Sequence, residues 1–180
     1  TCNEILGCHT STAERMPIVE ELYATLFGKI GYPGRLLDLA CGLNPFSLPW
    51  MNLPTGSKYE ACDIDSRLVA AIDRLFAHSS VDGTAKCQDL LVGGKSYQAD
   101  VVFLLKTLPS IEQQEKGMSL RLLRRIRADH IVVSYPSQSI CGRTKGMPEH
   151  YESIAESLAE DLGRQLEKLT FPGEIFYLMS

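Results

Sequence analysis

Arg35-Leu36-Leu37-Asp38-Leu39-Ala40-Cys41-Gly42-Leu43-Asn44-Pro45 decides the fold of this chain. Apolar residues flank an acid, and the run then meets a glycine. That is the pattern of a parallel strand buried on both faces and ending in a ligand-binding loop. Downstream, Tyr59-Glu60-Ala61-Cys62-Asp63-Ile64-Asp65 reads as a second strand ending in acids. A glycine turn after one strand and a carboxylate after the next suit a nucleoside, with backbone near its polar tail and acid near its ribose hydroxyls.

Outward from this pair, apolar periodicity alternates between strand and helix. On the N-terminal side, Ser11-Thr12-Ala13-Glu14 fits a capping box that opens a helix running through Ile18, Val19, Leu22, Leu26 and Phe27. On the C-terminal side a helix is expected over 66–77, with Leu68, Ile72, Leu75 and Phe76 on its buried side. Short strands are expected at 85–88 and 99–105, one helix at 111–126, a strand at 130–135, a glycine-containing loop at 136–147 and a helix over about 149–168. The tail reads as two antiparallel strands joined by Pro172-Gly173. The expected class is α/β: a Rossmann-like, mostly parallel sheet with a C-terminal antiparallel hairpin, in a single domain spanning 1–180.

The composition excludes several classes. At 180 residues and 44% apolar content the chain suits one well-cored globular domain, and no apolar run is long enough to span a bilayer. The first residues lack the basic and apolar regions of a signal peptide. Opening at Thr1 rather than Met, the chain is not read as a complete gene product. Six cysteines form no CxxC pair, which argues against a zinc ribbon or a redox couple and for free thiols in a reducing cytosol. A formal charge of −4 disfavours a chain that grips nucleic acid over its whole surface. The charge is uneven, however: Arg121, Arg124, Arg125 and Arg127 cluster and could meet phosphates, whereas 149–161 is acidic.

Asp38, Gly42, Asp63 and Asp89 all fall at or near expected strand ends. Asp63 could accept two ribose hydroxyls, and Gln88 with Asp89 could hold an adenine edge. The full GxGxxG fingerprint and a Walker lysine are both missing, so a ligand without a polyphosphate fits better, and S-adenosylmethionine is such a ligand. Arg15 suits a planar carboxylate such as that of the methionine moiety. Lys106, just after a strand, is a candidate for a phosphate or base-edge contact, and Trp50 and Tyr135 are possible stacking partners.

These segments together resemble a known group. LLDLACGLNPFSLPWM at 36–51, HTSTAER at 9–15, LLKTLPSIEQQ at 104–114 and SYPSQSICGRTKGM at 134–147 are similar to motifs of the aminoglycoside-resistance 16S rRNA guanine-N7 methyltransferases. The resemblance runs over essentially the whole chain. It implies methyl transfer from S-adenosyl-L-methionine to N7 of a decoding-site guanine within the 30S subunit, in the cytoplasm and without a metal. It places Arg15 on the methionine carboxylate, Gly42 beside the methionine part, Asp63 on the ribose and Gln88 with Asp89 around the adenine. Asp38, Ile64 and Leu105 are counted with the cofactor-binding residues, and Lys106, Tyr135 and Arg143 with the catalytic ones. Members of this group carry an additional helical N-terminal region used in docking onto the subunit. This chain has almost none of it, and is expected to bind cofactor but to methylate subunits poorly.

Guanine N7 carries an in-plane lone pair and no proton, so its methylation demands alignment rather than a general base. Two other readings share the fold: a methyltransferase on a small molecule or protein, and a silent domain that senses cofactor or RNA. Cofactor titration separates a live pocket from a dead one, and mapping of a modified base separates the remaining cases.

Overall fold

A computed structural model describes residues 1–8, 10–92, 94–137 and 147–180. The strands are β1 (Arg35–Leu39), β2 (Lys58–Asp63), β3 (Asp82–Cys87), β4 (Tyr97–Gln98), β5 (Val101–Leu105), β6 (Ile126–Arg127), β7 (His130–Pro136), β8 (Leu166–Phe171) and β9 (Glu174–Met179). The helices are α1 (Cys2–Leu6), α2 (Thr10–Ala13), α3 (Val19–Ile30), α4 (Leu48–Met51), α5 (Ser66–Phe76), α6 (Leu108–Gln114), α7 (Met118–Leu123) and α8 (Met147–Leu162). Among the described residues, seven strands form the main sheet in the order β3-β2-β1-β5-β7-β9-β8. The pairs from β3 to β7 are parallel, and β9 runs antiparallel to both β7 and β8. This is the expected mostly parallel sheet with a C-terminal antiparallel hairpin. β4 and β6 form a separate two-residue parallel ladder that periodicity could not register.

Each central strand sends alternate side chains into two cores, as the two-residue period of a strand requires. Leu37, Leu39, Val102, Leu104, Val133 and Tyr135 join α6, α7 and α8 on one face. Leu36, Val101, Phe103, Val132, Phe176 and Leu178 meet α3 and α5 on the other. Asp38, Ser134 and Glu174 occupy positions on this second face, all fully or almost fully buried. Three polar groups in that setting need partners, since an unpaired buried polar group costs roughly 1–3 kcal/mol.

Strand bounds follow the apolar runs except that β3 begins at Asp82 rather than 85, and the helices depart in three places, one of them α8, which ends at Leu162 so that 166–168, expected as helix, open β8. The expected continuous N-terminal helix is broken into α2, a 3₁₀ turn at Met16–Ile18 and α3. Pro17 supplies the reason, because it lacks an amide proton and disfavours helix at the residue before it. The capping box does not form there: Ser11 lies inside α2 and the Glu14 side chain reaches Lys106 instead. The helix expected at 111–126 is two helices, since the Glu112 carboxylate accepts the amides of Gly117 and Ser119 and ends one to begin the next. Close packing of α5 on β3 depends on Gly83, where an added Cβ would lie 2.3 Å from the Phe76 ring.

The chain leaves β1 toward β2 and β3, then returns to the other side of β1 through β5. Ligands of open α/β sheets bind outside the carboxyl ends of the strands at such a reversal.

Candidate functional site

Three residues with left-handed backbone mark the carboxyl ends of β1 and β5: Ala40 at φ 50°, Gly42 at 53° and Lys106 at 54°. For residues with a Cβ this conformation costs roughly 1–2 kcal/mol, and such strain collects where a fold aims groups at a ligand. The Lys106 backbone is held there by its amide, which donates to the Ser134 carbonyl at 3.1 Å and to Ser134 Oγ at 2.9 Å.

The β1 turn and the end of β2 meet directly. The Gly42 amide donates to Asp63 Oδ2 at 2.9 Å, and the Asp65 amide donates to Asp63 Oδ1 at 3.1 Å. Each Asp63 oxygen therefore keeps a lone pair for a further donor. The next residue, Ile64, is 69% exposed, a large apolar side chain standing beside a carboxylate at the crevice. Asp65 caps α5 by accepting from the amides of Arg67 and Leu68. Asp89 lies two residues past β3, and one of its oxygens accepts the Leu91 amide at 2.8 Å. Leu105 ends β5, half-buried beside Lys106.

Behind this rim runs a buried polar chain. Arg15, only 3% exposed, grips Glu174 through Nε at 3.1 Å and Nη2 at 2.8 Å. Its Nη1 donates to Asn44 Oδ1 at 2.7 Å, and Tyr23 donates to the same oxygen at 2.8 Å. Asn44 in turn donates to Asp38 Oδ2 at 2.9 Å, which also accepts the Tyr59 hydroxyl at 2.8 Å. Ser134 Oγ donates to Glu174 as well. Burial pushes the Asp38 carboxyl up to about 7, against the pull of its Asn44 and Tyr59 hydrogen bonds and of Arg15. For Arg15, burial opposes the charge, but Glu174 more than compensates and the guanidinium pKa rises.

Several expectations need correction on this geometry. Arg15 is not an open clamp for a ligand carboxylate, because its fork is filled by Glu174 and closed off from solvent. Asp38 is 0% exposed and reaches the loop through Asn44, so it braces the turn rather than touching a ligand. The Gln88 side chain binds Tyr97 and Lys95, and only its backbone joins the crevice, donating to the Asp63 carbonyl at 2.9 Å. Tyr135 is 1% exposed and stacks on Tyr151, on the face opposite its neighbour Ser134, which takes it out of the catalytic set. Trp50 packs against the α3 core. In the arginine cluster, Arg125 donates to the Leu90 and Val92 carbonyls, whereas Arg121 and Arg124 are more than half exposed and pair at the surface with Glu115 and Asp161. Arg143 lies outside the described residues.

Sequence reasoning missed Glu174 and Asn44. Asn44 stood inside the quoted motif, and an amide in a loop after a buried acid is a readable signal. Glu174 sat in a short tail strand, and nothing near it in sequence gave it a partner.

A switch-point crevice, a glycine turn tied to the acid of the next strand and a hairpin closing the sheet define the fold of S-adenosylmethionine-dependent methyltransferases. Within that class, residues 1–178 match the ribosomal RNA methyltransferase (FmrO) family, and the chain belongs to it. It is 36% identical over 174 residues to the 16S rRNA (guanine(1405)-N(7))-methyltransferase of Micromonospora echinospora, covering 97% of this chain and 64% of that relative. The chain thus spans a little under two thirds of that protein. It is 31% identical to the enzyme of the same description from Proteus mirabilis, covering 99% of this chain and 65% of that relative. Among solved structures, the 16S rRNA methyltransferase RmtF in complex with S-adenosyl-L-homocysteine superposes with a TM-score of 0.84 at 33% identity, covering 99% of this chain and 68% of that one. The 16S rRNA methylase ArmA gives 0.80 at 28% identity, covering 100% and 90%.

Proposed function

We propose that this chain transfers a methyl group from S-adenosyl-L-methionine to N7 of a guanine in the decoding site of 16S rRNA in the 30S subunit, a modification that confers aminoglycoside resistance. The observation that carries the reading is the 2.9 Å bond from Gly42 to Asp63 in a member of the FmrO family. It makes one rim from the ends of β1 and β2.

The donor set fits an adenosyl ligand. Asp63 offers one free acceptor site on each oxygen to a ribose diol, Ile64 offers an exposed apolar surface to a flat base, and Asp89 keeps one oxygen without a protein donor among the described residues. The Gly42 turn lies on the side of the methionine part. Leu105 flanks it, and Lys106 and Arg143 are assigned to the target nucleotide. Asp38, Asn44 and Arg15 hold the turn in place from behind.

The cofactor supplies an electrophilic methyl on sulfur. The guanine N7 lone pair forms the new N–C bond while the C–S electron pair stays on sulfur, and no proton has to leave. The protein's task is to align the base and hold water out. A guanine stacked in rRNA has to be turned outward, at a cost of a few kcal/mol. The reading places the chain in the cytoplasm with the ribosome; among the described residues no helix is long and apolar enough to cross a membrane.

The test combines calorimetry with S-adenosylmethionine and transfer of labelled methyl to intact 30S subunits, followed by mapping of the modified base. Saturable heat is expected, with slow modification of one decoding-site guanine. Heat without transfer would favour a silent sensor, and a folded protein giving no heat would end the cofactor assignment. Lys106→Ala and Arg143→Ala are expected to lower turnover without weakening cofactor binding.

A further inference from the structure

Lys106 is not free in this fold. Its ammonium lies 2.7 Å from Glu14 Oε2 and 3.6 Å from Glu174 Oε2. Glu174 is also the partner of Arg15 at 2.8 Å. Two cations and two carboxylates therefore close a neutral quartet at the mouth of the crevice. It is layered by depth: the side chains of Arg15 and Glu174 are 4% and 2% exposed, that of Lys106 is 13% and that of Glu14 is 51%. Only the outermost carboxylate has substantial access to water, and it is the closer of the two to the lysine. Glu14 also sits next to Arg15, on a segment broken from α3 by the 3₁₀ turn, so the buried Arg15 grip fixes where Glu14 points.

We propose that Glu14 is a built-in counter-ion of Lys106, a stand-in for a nucleotide phosphate that the lysine exchanges for the real one when RNA docks. The inference rests on the assignment of Lys106 to the target nucleotide. Any RNA phosphate that takes Lys106 has to displace a carboxylate already at 2.7 Å. A stray phosphate arriving alone gains little from that exchange, because one anion merely replaces another. A substrate held by many other contacts can supply the difference. Glu14 thus lowers the affinity of every RNA whose phosphate takes Lys106 by about the same factor, so that only an RNA anchored by further contacts stays bound with the lysine engaged. Its exposure keeps the exchange cheap, since a half-solvated carboxylate returns to water without being stranded in the core.

Binding of two RNA hairpins of equal length, one with the decoding-site sequence and one unrelated, is measured across a salt series. Wild type, Glu14→Gln, Lys106→Gln and the double variant are compared. Glu14→Gln keeps the shape and removes the charge. It is expected to tighten binding of both hairpins about three- to tenfold at low salt and to steepen the slope of log affinity against log salt by just under one. In the Lys106→Gln background the same change is expected to do nothing. An unaltered affinity and slope in Glu14→Gln, or equal tightening with and without Lys106, overturns the proposal while leaving the cofactor reading intact. Lys106→Gln without effect on either hairpin, or no low-salt binding by any of the four proteins, overturns both the proposal and the Lys106 assignment. Calorimetry with S-adenosylmethionine then reports on the cofactor site separately.

Discussion

Arg15 and Glu174 are 159 residues apart in the chain and form a two-bond buried ion pair that ties the N-terminal segment to the first residue of the last strand. Removing one partner strands the other charge. Glu174→Ala is therefore expected to cost on the order of 3–5 kcal/mol in denaturant unfolding. The same loss frees Arg15 to drift from Asn44, so cofactor affinity should fall as well. Unfolding free energy within 1 kcal/mol of wild type would contradict the role of this pair.

Asp38 should leave a pH signature. Its carboxyl is raised by burial to about 7 in the folded chain, from an ordinary value near 3.8. Between these values the folded state holds a proton that the unfolded state has lost, so this group favours folding most at the acid end. That contribution fades as pH rises through about 7. At about 1.4 kcal/mol per unit, the range amounts to up to roughly 4 kcal/mol. Asp38→Asn should remove it: the difference in unfolding free energy between variant and wild type should change across pH 4–7 and level off above. Parallel stability curves over that window would refute the assignment.

Asp63→Asn is expected to weaken S-adenosylmethionine binding at least tenfold in calorimetry, because the amide presents one acceptor in place of two and the other end cannot accept the Gly42 or Asp65 amide. Gly42→Ala probes the same rim more gently. A Cβ there would meet nothing within 4 Å, but φ is +53°, so backbone strain of roughly 1–2 kcal/mol is the expected penalty. Equal cofactor affinity in wild type and Asp63→Asn would detach the ribose from this carboxylate.

Tyr135→Phe should leave turnover on 30S subunits unchanged. The Tyr135 hydroxyl is buried without a partner among the described residues, so its removal should hold stability level or raise it slightly. A large drop in turnover would return Tyr135 to the catalytic set.

The strand pattern could be read in advance because it is local. Leu36-Leu37-Asp38-Leu39 and Tyr59 through Asp63 carry their own burial signal, and a parallel sheet follows from such runs alternating with helices. The Gly42 turn and Asp63 were legible for the same reason, as each marks the end of an apolar run. Helix continuity was less legible. Pro17 and the Glu112 carboxylate each broke a periodic stretch that hydrophobic spacing alone would have carried through.

The fate of the charges was decided only by folding. Arg15, Lys106, Gln88 and the arginines at 121, 124 and 125 looked available for a ligand or RNA, and each found a partner elsewhere in the chain. Residue type and spacing announce a hydrophobic face because burial depends on the side chain itself. A charge settles on whichever opposite group the tertiary structure brings within a few ångströms, and for Arg15 that group came from the far end of the chain.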